Sequence, residues 1–196
     1  EVWYSTFGSG VFLHDFGTFK NIYFKDGFNP KGMVFDIIVW KQKKYIATKN
    51  GLFVLDKNKI ERHFTKKDGL PSNVILDLDA KDDAELWLAT SNGLSKYKGK
   101  DFLNFSRKSG LPSKVVTSVH VDRKKPSTIW TGSENSGLTR YDKNGFFTFA
   151  VQDGLPGNSI RDIEQLPNGN LVLACYNKGI ALYDGNSFQL YDNGLD

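Results

Sequence analysis

The chain of 196 residues reads as all-β, a β-propeller built of four-stranded antiparallel blades with a repeat of about 42 residues. Three observations predict this. A phrase containing Gly-Leu or Gly-Phe recurs five times. A second phrase recurs in register with the first. The composition is aromatic and turn-rich, with 14% Phe, Trp and Tyr and 19 glycines, and no stretch carries helical periodicity.

The first phrase is KDGF at Lys25–Phe28, KDGLPSN at Lys67–Asn73, SGLPSK at Ser109–Lys114, QDGLPGN at Gln152–Asn158 and DNGL at Asp192–Leu195. Its glycines, Gly27, Gly69, Gly110, Gly154 and Gly194, are 42, 41, 44 and 40 residues apart. The second phrase is YIATKNGLFVLD from Tyr45, LWLATSNGLSKY from Leu86, IWTGSENSGLTRYD from Ile129 and LVLACYNKGIALYD from Leu171, with VWYSTFGSGVFLHD from Val2 matching it. Its glycines, Gly10, Gly51, Gly93, Gly137 and Gly179, are 41, 42, 44 and 42 apart. Two anchors that hold one period over five copies define a blade array.

Within a copy the elements follow in order, as the third one illustrates. An inner strand A covers Val74–Ala80, with Val74, Leu76 and Leu78 alternating against Ile75, Asp77 and Asp79. Strand B is Leu86–Thr90, strand C is Leu94–Tyr97, and strand D surrounds Phe102–Phe105. KDD, SNG and KGK between them are turn chemistry. The aromatics suit the wedge between twisted blades. One propeller spans 1–196, with blades at about 1–27 (partial), 28–69, 70–110, 111–154 and 155–196. The first blade has three strands and the others four, so nineteen are expected. A partial ring of nearly five blades, cut from a longer propeller, is the expected form.

Several function classes are excluded at this level. No apolar run reaches the length of a membrane-spanning helix, so no membrane insertion by this segment is expected, and no leader follows Glu1. The net charge of +4 is small and spread out, which argues against nucleic acid. One cysteine makes neither an internal disulfide nor a Cys-based zinc site. No cofactor or metal motif is present, and no catalytic constellation stands out. The Ser95–Lys98 SxxK lies on a strand, where it cannot form one helical face. GSG at Gly8–Gly10 begins a strand rather than a helix, so it is no phosphate loop.

Comparing the copies with one another separates scaffold from site. Columns that recur in every blade solve a shared packing problem: Asp36, Asp77, Ser118 and Asp162 on strand A; Thr6, Thr48, Thr90, Ser133 and Cys175 on strand B; and Trp3, Tyr45, Trp87 and Trp130. Each Asp is expected to accept hydrogen bonds from loop amides or the strand B hydroxyl of its own blade. His14 falls in a packing column, His63 on an outer strand, and His120 on an inner strand beside the columns of Asp79 and Glu164. Departures mark the site. Three B–C loops are one residue longer than SNG, and the first blade-to-blade loop is extended. Phe7, Phe28 and Tyr176, with Glu134, Asn135 and Lys178, are thereby placed on one face as an aromatic platform flanked by polar groups. Such a platform suits a sugar ring.

DGLPSN, followed by an A strand and LWLATSNGLSKY, is similar to the two-component regulator propeller repeat, as are DGLPGN with GIALYD and SGLPSK with GLTRYD. The resemblance covers nearly the whole chain. It implies part of the sensor ectodomain of a bacterial hybrid two-component system, periplasmic, with further blades and a kinase module elsewhere in the receptor. Related propellers occur in secretion components and in the streptogramin-lyase group, so the repeat does not fix the role. The leading expectation is a non-enzymatic sensor propeller that recognises a saccharide or other polar ligand, an oligosaccharide being the expected partner. The alternatives are a protein-interaction scaffold, and a lyase-like enzyme using His120, Asp79 and Glu164. Open blade edges also predict self-association.

Overall fold

A computed structural model describes residues 2–6, 10–15, 17–21, 33–57, 59–80 and 82–191. The nineteen strands it contains fall into five sheets. Blade I holds β1 (Val2–Thr6), β2 (Gly10–Asp15) and β3 (Thr18–Asn21). Blade II holds β4 (Val34–Trp40), β5 (Lys43–Thr48), β6 (Gly51–Asp56) and β7 (Lys59–Phe64). Blade III holds β8 (Ile75–Asp79), β9 (Leu86–Thr90), β10 (Gly93–Tyr97) and β11 (Phe102–Phe105). Blade IV holds β12 (Val116–Val121), β13 (Ile129–Ser133), β14 (Leu138–Asp142) and β15 (Gly145–Phe149). Blade V holds β16 (Ile160–Gln165), β17 (Leu171–Cys175), β18 (Gly179–Tyr183) and β19 (Phe188–Tyr191). Every sheet is an antiparallel meander in chain order, the arrangement of a propeller blade. The inner strands stand side by side: β1 lies against β4, β4 against β8, β8 against β12, and β12 against β16.

The blades are held apart and together by aromatic wedges. Between blades III and IV, Trp87 stacks on Phe105 at 5.8 Å, and Tyr141 lies 5.0 Å from Phe105 and 4.6 Å from Phe146. Trp40, Tyr45, Phe64, Tyr97 and Phe102 play this part between II and III. Trp130, Phe149, Tyr183 and Phe188 do so between IV and V. The hydroxyl column closes the B–C turns. Thr48, Thr90 and Ser133 donate to the carbonyls of Gly51, Gly93 and Gly137. Cys175 replaces the hydroxyl in blade V and is buried, which pushes its thiol pKa up.

Two features differ from the sequence reading. The DG phrase folds into 3₁₀ turns at Lys66–Asp68, Arg107–Ser109 and Val151–Asp153, each ended by a left-handed glycine: Gly69, Gly110 or Gly154. Thr65 and Ser106 cap the first two of them. The signal was there in the sequence, a Ser or Thr three residues before the Asp or Ser of the phrase. The second difference is in strand A, which does not alternate evenly. A bulge interrupts β4, β8, β12 and β16 at one position, between Val34 and Asp36, Ile75 and Asp77, Val116 and Ser118, and Ile160 and Asp162.

The bulge turns the Asp column toward the neighbouring blade. Asp36 Oδ2 accepts from the Leu78 N–H at 3.1 Å, and Asp77 Oδ2 from the Val119 N–H at 2.7 Å. Asp79 Oδ2 accepts from the Val121 N–H at 2.7 Å. These bonds correct the expectation that each Asp serves its own loop or strand B hydroxyl. One oxygen does take the next amide of its own strand, as Asp36 does from Ile37 and Asp77 from Leu78, but the other bridges two blades; Asp162 takes the Ile163 amide of its own strand. Ser118 breaks the series between blades IV and V. There Thr117 Oγ1 donates to the Ile160 carbonyl instead, and Ser118 Oγ is buried without a hydrogen bond.

Candidate ligand site along the channel

The bulged residues themselves, Phe35, Leu76, Thr117 and Arg161, line a cleft of about 400 Å³ along the inner strands. Four structurally equivalent positions thus present four different chemistries to one space. The bridging carboxylates Asp36, Asp77 and Asp79 border the same cleft, with Asp162, His120, Arg123 and Glu164.

Five acids line the cleft: Asp79 is buried, Asp36 and Asp77 are half-buried, and Asp162 and Glu164 are exposed. Burial pushes the Asp77 carboxyl well above its ordinary value, and the nearby Asp36 charge raises it further. Burial also raises Asp36, opposed by the Ile37 and Leu78 amides and by a hydrogen bond with Asp77. A carboxyl raised in this way keeps its proton in the folded chain at pH values where the unfolded chain has released it. Its stabilising contribution is therefore present in acid and declines as pH rises above the unfolded value of 3.8. Asp77→Asn, which cannot ionise, is expected to flatten that decline; melting temperatures of both proteins between about pH 4 and 8 check it. A parallel fall in the two curves would refute it.

His120 is 3% exposed, with Nδ1 3.4 Å from Asp79 Oδ2. Burial lowers its pKa, opposed by the charge of Asp79. The Arg123 guanidinium donates to Asp79 Oδ1 at 2.6 Å and to the Ala80 carbonyl at 3.1 Å. Asp79 is thus occupied by an arginine and two main-chain amides, from Ala80 and Val121. His120 Nε2 is buried and has no hydrogen bond. The three residues named for lyase chemistry are brought together, but the imidazole nitrogen that would act as base is closed off from solvent. His63, expected on an outer strand, is exposed and stacks on Phe53 at 3.9 Å.

The B–C loops and the blade-to-blade connections share one end of the propeller. The Gly93 N–H donates to the Lys114 carbonyl, Gly137 to Asn158 and Tyr176 to Ser159. Of the six platform residues, Phe7 and Phe28 lie outside the described residues. Glu134 and Asn135 are exposed on the turn of blade IV, and Tyr176 and Lys178 on the adjacent turn of blade V. Lys178 lays its stem beside Gly157, where a side chain on that glycine would meet Lys178 Cγ at 3.0 Å. Arg161 holds its guanidinium over the Tyr176 ring at 4.7 Å. That contact joins the B–C end to the channel cleft, because Arg161 is one of the bulged residues lining it. Sequence reading missed the bulge column altogether, since period-2 alternation assigns those residues to the wrong face.

Fold and cleft together define a β-propeller with a polar channel. No family model matches the chain, and no curated protein matches it. Its architecture is that of solved propellers. It superimposes with a TM-score of 0.83 and 22% identity on a crystal structure described as the extracellular domain of the hybrid two-component system BT3049 of B. thetaiotaomicron, over 97% of this chain and 27% of that one. The extracellular domain of BT4673 from the same organism gives 0.66 and 18%, over 97% of this chain and 32% of the other. The WD40 propeller of Doa1 gives 0.70 and 14%, over 93% and 60%. The chain therefore spans about a quarter to a third of the two-component ectodomains whose fold it shares.

Proposed function

We propose that this chain is a non-catalytic recognition propeller within a periplasmic sensor ectodomain, binding a saccharide or similar polar ligand at the B–C end. The observation that carries this reading is the Arg161–Tyr176 pair, which sets a ring and a guanidinium at the mouth of the channel cleft. Exposed Glu134, Asn135 and Lys178 flank it, and Phe7 and Phe28 belong to the same proposed site. Aromatic faces and paired charges suit sugar hydroxyls. Asp36, Asp77 and Asp79 support binding over catalysis, since each uses an oxygen to hold one blade to the next. Further blades and a kinase module of a longer receptor would carry the signal, the ligand favouring one of two receptor arrangements.

A panel of neutral oligosaccharides, followed by calorimetry and thermal stabilisation, tests the reading. A binder is expected, and Tyr176→Ala is expected to weaken it about ten-fold, roughly 1.4 kcal/mol. Absence of any binder, or a Tyr176→Ala protein that binds as the wild type does, overturns it.

A further inference from the structure

A second groove opens at the opposite end of the propeller, between blades IV and V, with a volume of about 410 Å³. The A–B connection of blade IV, residues 122–128, forms one wall. It is the longest of the A–B connections in blades II to V and carries the basic run Arg123, Lys124 and Lys125. The other wall is the A–B connection of blade V around Asn168 and Gly169, with the C–D turn at Asp184 and Gly185. Arg140 on β14 and Asp142 at its end complete the space, with Trp130 and Tyr183 at the floor.

Acidic and basic residues are equal in number around this groove, yet their hydrogen-bonding capacity is not. Asp122 Oδ1 accepts from the amides of Lys124 and Lys125 at 2.9 and 2.8 Å, and its Oδ2 accepts from the Trp130 indole N–H at 3.2 Å. Asp184 accepts from the amides of Asn186 and Ser187, both at 2.8 Å. Asp142 takes the Asn144 amide at 2.8 Å and pairs with Arg140 Nε at 3.2 Å. All three carboxylates are thus used by the turns that carry them.

The cations are less committed. Lys124 Nζ donates to the Asn168 carbonyl at 2.7 Å. The two terminal nitrogens of Arg140 and the ammonium of Lys125 make no hydrogen bond among the described residues. Phe147 lies 5.4 Å from the Arg140 guanidinium carbon and steadies the side chain. The groove therefore offers N–H donors in excess of acceptors, with a planar guanidinium fork among them. That is the complement of an oxyanion.

We propose that this groove binds an acidic sugar, its carboxylate or sulfate held by Arg140 and Lys125 and its hydroxyls by Asn168 and the groove walls. The volume suits one or two sugar units. The site is separate from the Tyr176 platform and goes beyond the function proposed above, so either can fail alone.

The test is calorimetry on the whole chain with trigalacturonate, the neutral β-1,4-galactotriose, and sodium sulfate. Trigalacturonate is expected to bind, galactotriose not to bind at this end, and sulfate to bind more weakly. Raising salt from about 0.02 M to about 0.3 M weakens the interaction. Arg140→Gln is expected to lower the trigalacturonate affinity about ten-fold or more, while Tyr176→Ala leaves it unchanged. If Arg140→Gln impairs folding, Lys125→Gln combined with Lys124→Gln, both exposed, carries the same expectation. Equal binding of the neutral and acidic trisaccharides to the Tyr176→Ala protein overturns the proposal. So does wild-type affinity in the groove variants, loss of uronate binding in Tyr176→Ala, or no uronate binding at all. Binding of sulfate without uronate overturns the sugar assignment and leaves a simple anion site.

Discussion

Replacing Trp87 by alanine is expected to remove about 3–5 kcal/mol of stability, the range for deleting a buried aromatic. The indole is 3% exposed on β9 and fills the space between blades III and IV. Its neighbours are large and rigid: Phe105 stacks on it at 5.8 Å, Tyr141 lies 5.9 Å away, and Lys96 Nζ sits 5.0 Å over the ring. A wedge between two twisted sheets cannot collapse onto a missing ring without rotating one blade against the other. The cavity therefore stays open and the upper part of the range applies. Urea unfolding of the variant measures the loss. A cost below about 1 kcal/mol would show that the blades slide together to refill the gap.

Gly93→Ala is expected to cost about 2–5 kcal/mol, from two additive sources. Gly93 has φ of +111°, where an L side chain costs about 1–2 kcal/mol. An added methyl would also stand 2.3 Å from the Phe105 carbonyl oxygen. That oxygen belongs to main chain at the end of β11, so relief requires moving a strand, an overpacking cost of about 1–3 kcal/mol. Gly145 supplies the control. Its φ is +101°, but nothing lies within 4 Å of a methyl placed there. Gly145→Ala should show the backbone cost alone. If the two variants lose equal stability, the carbonyl contact is not what makes Gly93 necessary.

Much of this architecture was legible in the residues. The glycines at Gly51, Gly93 and Gly137 mark the same tight approach, each with a carbonyl of strand D at 2.1–2.3 Å from a hypothetical methyl. Repeats repeat because the backbone does. The tryptophan column was legible for a similar reason: a wedge of fixed width needs a ring of fixed size. What the repeat could not reveal is which neighbour a side chain serves. Asp36 and Asp77 looked like parts of their own blades, because period says nothing of direction around the ring. The bulge column hid for a different reason. One extra residue inverts the alternation, so Phe35, Leu76, Thr117 and Arg161 stood on the wrong side of the pattern. Tyr176 and Lys178 stand on the turn where loop length placed them, yet the Arg161 contact that ties Tyr176 to the channel joins residues from two strands and leaves no local trace. The basic A–B connection of blade IV differs from its counterparts in length, a difference the B–C and blade-to-blade loops do not carry.

The carboxylate bridges have a consequence for how such an array can change over evolutionary time. Each one carries all its specificity on the preceding blade, because what it grips in the next blade is an amide that any residue except proline supplies. A blade that is copied, swapped or inserted therefore arrives with its forward grip already in place and asks nothing of its successor's sequence. Two adjoining blades need no matched substitutions at this contact to remain joined. The interruption at Ser118 is the exception: there the hold passes to Thr117 and the Ile160 carbonyl, again a side chain on the earlier blade and main chain on the later one. The direction of dependence survives even where its chemistry has been exchanged.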